Sequence, residues 1–221
     1  MVTTDQQFWW NWFAQVAIAI ATFLAVLAAL FLDWFRGRFF PPQLELTLLD
    51  AAGAPVVPTV AHKPTKRPDE FEQIETVSRW YHVQVRNKRR FARARDAQVC
   101  LVAVEEQNAA GEYVPRTTGA IPLAPRHAGV AAPSRVLGSP IQWDLCALYR
   151  DLGEGPVFRL TTVIAPADIT VVSRQAFKMV VHLQARTIEV DTKVLRLELS
   201  WNGKWSDDTS EMKNHFVIRA L

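Results

Sequence analysis

Apolar and polar positions follow two regimes along this chain. From Phe13 to Leu32, twenty consecutive residues carry no charge, and only Gln15 and Thr22 among them are polar. A helix of that length rises about 30 Å, the thickness of a bilayer's hydrocarbon core. Trp9, Trp10 and Trp12 flank one end and Trp34 the other. Indoles favour the headgroup interface, so these read as two aromatic belts. Pro41 and Pro42 follow, and proline stops a helix.

A secretory leader needs a basic n-region, yet no Lys or Arg precedes Arg36. A soluble core helix of this length would show a polar face. The pattern predicts an uncleaved transmembrane helix over residues 13–35, preceded by a short extracytoplasmic tail, residues 1–12. Basic side chains gather after the span, at Arg36 and Arg38 and then at Lys63, Lys66 and Arg67. The positive-inside rule then predicts a single-pass inner-membrane protein oriented N-out/C-in.

Beyond the prolines the period drops to two. "QLELTLL" places Leu44, Leu46 and Leu48 on one face, and "WYHVQVRN" does the same with Tyr81, Val83 and Val85. "IQWDLCALY" alternates Ile141, Trp143, Leu145, Ala147 and Tyr149. "FKMVVHLQA", "VLRLELSW" and "HFVIRAL" carry the same signature with Met179, Val181 and Leu183, with Leu195, Leu197, Leu199 and Trp201, and with Phe216 and Ile218. Half-buried strands between Gly, Pro and Asn turns predict a mainly β chain, an antiparallel sandwich over residues 43–221. Asn202-Gly203 reads as a two-residue turn, and "DTSE" (208–211) as a capping box opening a short helix. Around "DEFEQIE" a short helix is expected, and residues 107–139 read as a loop-rich excursion with few strand signals.

"YHVQVRNKRRFARARDAQVCLVAVE" resembles the strand–turn–strand of bacterial immunoglobulin-like domains, in which an extended V-x-V-x-N leads through a turn to A-x-x-A-x-V-x-L. "LELSWNGKWSDDTSEMKNHFVI" is similar to the C-terminus of uncharacterised prokaryotic membrane-anchored immunoglobulin-like β-sandwich proteins. The resemblance covers about a third of the chain. It implies an Ig-like sandwich and no catalytic residue.

Net charge is +3 over 221 residues, too mild a bias to argue for nucleic acid. The histidines His62, His82, His127, His182 and His215 form no HxH, HExxH or Cys/His cluster. His82 and His182 read as exposed strand residues. Cys100 lies among apolar neighbours as a packed thiol. Glu105 and Glu106 are adjacent on a strand and point to opposite faces, which makes them a poor acid/base pair. No cofactor, metal or enzymatic motif emerges, so the chain reads as a non-enzyme.

Two features remain. "NKRRFARAR" carries Lys88, Arg89, Arg90, Arg93 and Arg95. It reads either as a solvated hairpin turn or as a patch facing anionic lipid. The second follows if the strand at 78–86 returns antiparallel to that at 43–50. Only Phe91 in this run can stack on a base, so nucleic acid is the poorer partner. On the span, Ala17, Ala21, Ala25 and Ala29 form a small-residue stripe with Gln15 and Thr22 along its edge, a pattern suited to helix–helix approach and a homo-oligomer. The whole reads as a membrane-tethered binding module whose sandwich recognises a protein partner or small ligand, as an accessory or effector subunit. The alternative is an oligomeric pore gated by the sandwich.

Overall fold

The computed structural model describes residues 4–64, 71–89, 92, 94–126, 139–163 and 172–221. The chain forms two compact units, Met1–Pro41 and Pro42–Leu221.

The first unit is one helix, α1 (Thr4–Phe39), longer at both ends than the expected span. Phe40 lies outside it because a residue before proline is pushed out of the α region. Within α1 the stretch Phe8–Leu32 has a mean hydropathy of 2.5, and none of it is buried in the protein. Its 25 residues make it long and apolar enough to cross a membrane.

The second unit is built of β1 (Leu44–Leu48), β2 (Val57–Pro64), β3 (Phe71–Asn87), β4 (Gln98–Gln107), β5 (Tyr113–Pro122), β6 (Ile141–Tyr149), β7 (Val157–Leu160), β8 (Val172–Ser173), β9 (Phe177–Arg186), β10 (Leu195–Trp201), α2 (Thr209–His215) and β11 (Phe216–Ala220). One sheet has the order β1-β3-β6-β7-β8, with β2 paired to the first half of β3. The other has the order β11-β10-β9-β4-β5. Both are antiparallel. The inward rows of the two sheets meet in one core, where Tyr81 of β3 packs its ring 4.7 Å from that of Phe216 of β11. The division of strands between the sheets is compatible with an Ig-like sandwich.

Several expectations change. Residues 71–75 are strand, paired to β2 residue by residue, where a helix was expected. β5 occupies the stretch read as loop; it is an edge strand, and an edge accommodates Pro115 and Pro122 where a central ladder would not. In β6 a register shift opposite Tyr81 and His82 breaks the alternation. Trp143 and Leu145 face the core, but Ala147 and Tyr149 turn to the other face and form a second apolar cluster with Val157 and Trp80. A bulge inserts one residue, and one residue inverts every later side chain.

Asn202-Gly203 is not a two-residue hairpin, because Trp201 pairs with Phe216 and α2 fills the connection. The cap itself is present: the Asp208 carboxylate accepts from the N–H groups of Ser210 and Glu211. Its reciprocal half runs through Ser206, whose hydroxyl accepts from the Asp208 N–H and donates to Glu211.

Candidate functional site at the tethered end of the sandwich

Only Phe40, Pro41 and Pro42 separate α1 from Gln43 in sequence. Gln43 donates its N–H to Asn87 Oδ1 at 3.2 Å and accepts from the Lys88 N–H at 2.8 Å. The register Leu44↔Asn87 shows β3 returning antiparallel to β1, so the basic turn lies beside the start of β1.

Asn87 organises that turn. It is buried, its Nδ2 donates to the Ala92 carbonyl at 2.7 Å, and its Oδ1 also accepts from the Arg89 N–H at 3.1 Å. The segment is no hairpin, since β3 and β4 belong to different sheets and the turn arches between them. Small side chains let it run over the core: Ala92, Ala94 and Ala97 are buried. Lys88, Arg89 and Arg95 are therefore brought to one arch; Arg90 and Arg93 lie outside the described residues.

Two of the described cations, Lys88 and Arg95, have carboxylate partners that the sequence did not reveal. Lys88 Nζ lies 2.8 Å from Glu45 Oε1 on β1. Arg95 is held twice by Glu189, from its backbone N–H at 2.8 Å and from Nε at 2.7 Å. Burial opposes ionisation of Glu189, but the hydrogen bonds from Arg95 outweigh it and hold the carboxyl below its ordinary range. The side-chain bond and the charge of Glu189 push the Arg95 guanidinium up. The pair is directional: the Arg95 side chain is 57% exposed and that of Glu189 only 18%.

Glu189 sits in the connection between β9 and β10. Thr187 closes this turn by donating its N–H to the Val190 carbonyl at 3.1 Å, and its hydroxyl oxygen accepts from the Val190 N–H at 3.0 Å. Ile188 donates its N–H to the Arg95 carbonyl at 3.1 Å. Between this connection and β1 lies an open groove of about 500 Å³. Its lining mixes apolar Pro42, Leu44 and Leu195 with charged Glu45, Lys88 and Lys193.

The span residues Gln15, Ala17, Ala21, Thr22, Ala25 and Ala29 are all exposed on α1. The Thr22 hydroxyl is already taken, donating to the Ile18 carbonyl at 2.8 Å.

The strand histidines are not exposed as expected. His82 is 5% exposed, with Nε2 3.3 Å from Asp144 Oδ1. His182 is half-buried and lies 2.8 Å from Glu105 Oε1. His62 and His127 have no described side chains. Cys100 and Cys146 are buried free thiols, both pushed up by burial. Among the described residues no group of three His, Cys, Asp or Glu side chains is placed to hold a metal ion. No known family model matches the chain, and no curated protein matches it.

Proposed function

We propose that this chain is a single-span, membrane-tethered binding module. In this reading α1 crosses the inner membrane N-out/C-in, and the sandwich works in the cytoplasm as the recognition unit of a larger assembly. It binds a protein partner or a small ligand and carries out no reaction of its own. The observation that carries the reading is the Phe8–Leu32 stretch, whose side chains have no cover within the protein. Burying that surface in lipid removes it from water at no cost in backbone hydrogen bonds. Arg36 and Arg38 follow the stretch and no basic residue precedes it.

The groove beside β1 is the proposed recognition site. Apolar walls with a few charged groups are the usual lining of a binding cleft. Lys88, Arg89, Arg90, Arg93 and Arg95 are proposed to lie toward anionic headgroups, and the alanine stripe of the span to bring copies together.

A phosphatase or fluorescent protein fused at Leu221 tests the orientation: fluorescence without phosphatase activity is expected, and an active phosphatase overturns it. A photo-crosslinker at Lys193, irradiated in native membranes, tests the groove. A discrete adduct absent when the crosslinker sits at Ala109 supports it. Identical adduct patterns from the two positions reject the groove, and conductance by the reconstituted chain would favour a pore.

A further inference from the structure

Loop tips of a soluble sandwich are normally polar, but the tip of the β9–β10 connection is isoleucine. Ile188 is 63% exposed, the most exposed large apolar side chain among the described residues of the sandwich. Its backbone is held in place. The turn that carries it is closed on itself by Thr187 and Val190, and its own N–H is fixed on the Arg95 carbonyl. Val194, at the other end of the connection, is 46% exposed.

Beside this apolar tip, at Arg95 and Glu189, the cation is the outer partner. Arg95 stands over the half-buried Glu189, and its guanidinium stays in solvent while the carboxylate beneath it does not. Lys193 and Lys88 line the adjoining groove together with Glu45 and Asp191. Among the described residues the acidic groups at this end are Glu45, which Lys88 pairs, Glu189, which Arg95 pairs, Asp191, which lies 4.0 Å from Arg186, and Asp96. The groove that joins these loops begins at Pro42, three residues past the end of α1.

We propose that Ile188 is a membrane-inserting tip: the β9–β10 connection and the 88–97 arch together form a lipid-binding surface, with Ile188 entering the boundary between headgroups and acyl chains and Arg95 meeting lipid phosphate. The inference rests on the tether reading above. It adds the residue that penetrates and the chemistry of its partner, an anionic phospholipid surface. An exposed apolar side chain gains by entering the acyl boundary, and a basic side chain beside it gains from anionic headgroups. A protein partner at the same place would need a complementary acidic patch and a socket for one isoleucine. The lipid surface is favoured because only Phe40, Pro41 and Pro42 separate α1 from Gln43 in sequence.

The test uses the full chain carrying Ile188→Cys, labelled with an environment-sensitive fluorophore; Cys100 and Cys146 are buried, so the introduced thiol is the reactive one. Ala109→Cys, in the β4–β5 connection at the opposite end of the sandwich, is the reference position. Each is reconstituted into vesicles of phosphatidylcholine alone or of equimolar phosphatidylcholine and phosphatidylglycerol, with brominated acyl chains as quencher. The label at position 188 is expected to shift to the blue and to be quenched, more so with phosphatidylglycerol, and to lose part of this as salt rises. The label at position 109 is expected to stay in water. Equal quenching at the two positions overturns the proposal. So does a 188 label that turns apolar only when other membrane proteins are added, which would assign the tip to a protein partner. Flotation of the same samples separates the two readings. A chain that fails to float with the vesicles overturns the tether and this inference with it. A chain that floats while its 188 label remains in water overturns the inference alone.

Discussion

Arg79 and Thr209 are joined across the two sheets: a guanidinium sealed from solvent donates at 3.0 Å to the hydroxyl that opens α2. Arg79 also donates to the Asp207 carbonyl at 3.1 Å, and its Nε has no partner. No carboxylate among the described residues lies within ion-pair distance of this cation. An unpaired buried charge is costly, and well-packed apolar replacements of buried ions are often neutral. Arg79→Met is therefore expected to cost less than Arg79→Ala, which leaves a cavity and should cost about 2–5 kcal/mol. Denaturant unfolding of the detergent-solubilised chain measures both. Equal losses would show that the charge, and not the volume, is what position 79 requires.

Gly53 is fixed by two separate effects. Its φ is +76°, and a Cβ there would stand 2.8 Å from the Tyr81 ring. Gly155 has a similar φ, +88°, but open space where its Cβ would be. The left-handed conformation alone costs a non-glycine residue roughly 1–2 kcal/mol. Gly155→Ala is expected to show that loss, and Gly53→Ala a larger one, because Tyr81 is packed against Phe216 and cannot swing aside freely. The same destabilisation at both positions would mean that the ring relaxes without penalty.

How far the fold was legible follows from which interactions are local. The inward rows of β9, β10 and β11 are those read from the sequence, although in β9 the outward-facing Val180 is buried as well. The sandwich half of β6 beyond Leu145 was not legible, because a bulge is set by its partner β3 and leaves no mark in β6 itself. Residues 71–75 mix acidic and apolar side chains as a helix would, and only the ladder to β2 makes them a strand. At the tethered end, the positions of Lys88, Arg89 and Arg95 were legible once β3 was taken to return along β1. Glu189 and Ile188 were not, since Arg95 meets Glu189 across 94 residues of sequence. An isoleucine at a turn tip was the one signal that could have pointed there.

Acid should expose the cap of α2. Hydrogen bonds from the Glu211 and Ser210 N–H groups hold the Asp208 carboxyl below its ordinary value of 3.8. A depressed carboxyl contributes stability that is present above its unfolded pKa and is lost as the pH falls through the folded one. Asp208→Ala is expected to lower the unfolding midpoint by about 2–4 °C near neutrality. The difference from the unsubstituted chain should shrink below about pH 4 as the capping carboxylate takes up its proton. Asp208→Asn keeps an acceptor oxygen and should fall between the two. A difference that stays constant from pH 7 to pH 2 would remove the charge from the account and leave the cap a purely geometric one.

The two polar residues of the span are not equivalent. Thr22 donates its hydroxyl to the Ile18 carbonyl of its own helix, a bond that satisfies the group in a single chain surrounded by lipid. Gln15 has an amide with two donors and an acceptor, more groups than one carbonyl of its own helix can satisfy. If copies of α1 pack through Ala17, Ala21, Ala25 and Ala29, the amide is the group that gains from a neighbour. Interhelical hydrogen bonds in membranes average about 0.6 kcal/mol, equivalent to roughly threefold in an association constant. Gln15→Leu is therefore expected to weaken self-association about threefold, and Thr22→Val to leave it nearly unchanged. Ala21→Ile with Ala25→Ile should weaken it further by holding the backbones apart, whereas Ile20→Ala, on the bulky face, should not. A two-hybrid assay in the membrane, with crosslinking in vesicles, ranks the four. Weakening by Thr22→Val equal to that by Gln15→Leu would mean that the threonine turns outward to a partner. An Ile pair that associates like the unsubstituted span would leave α1 as an anchor and nothing more.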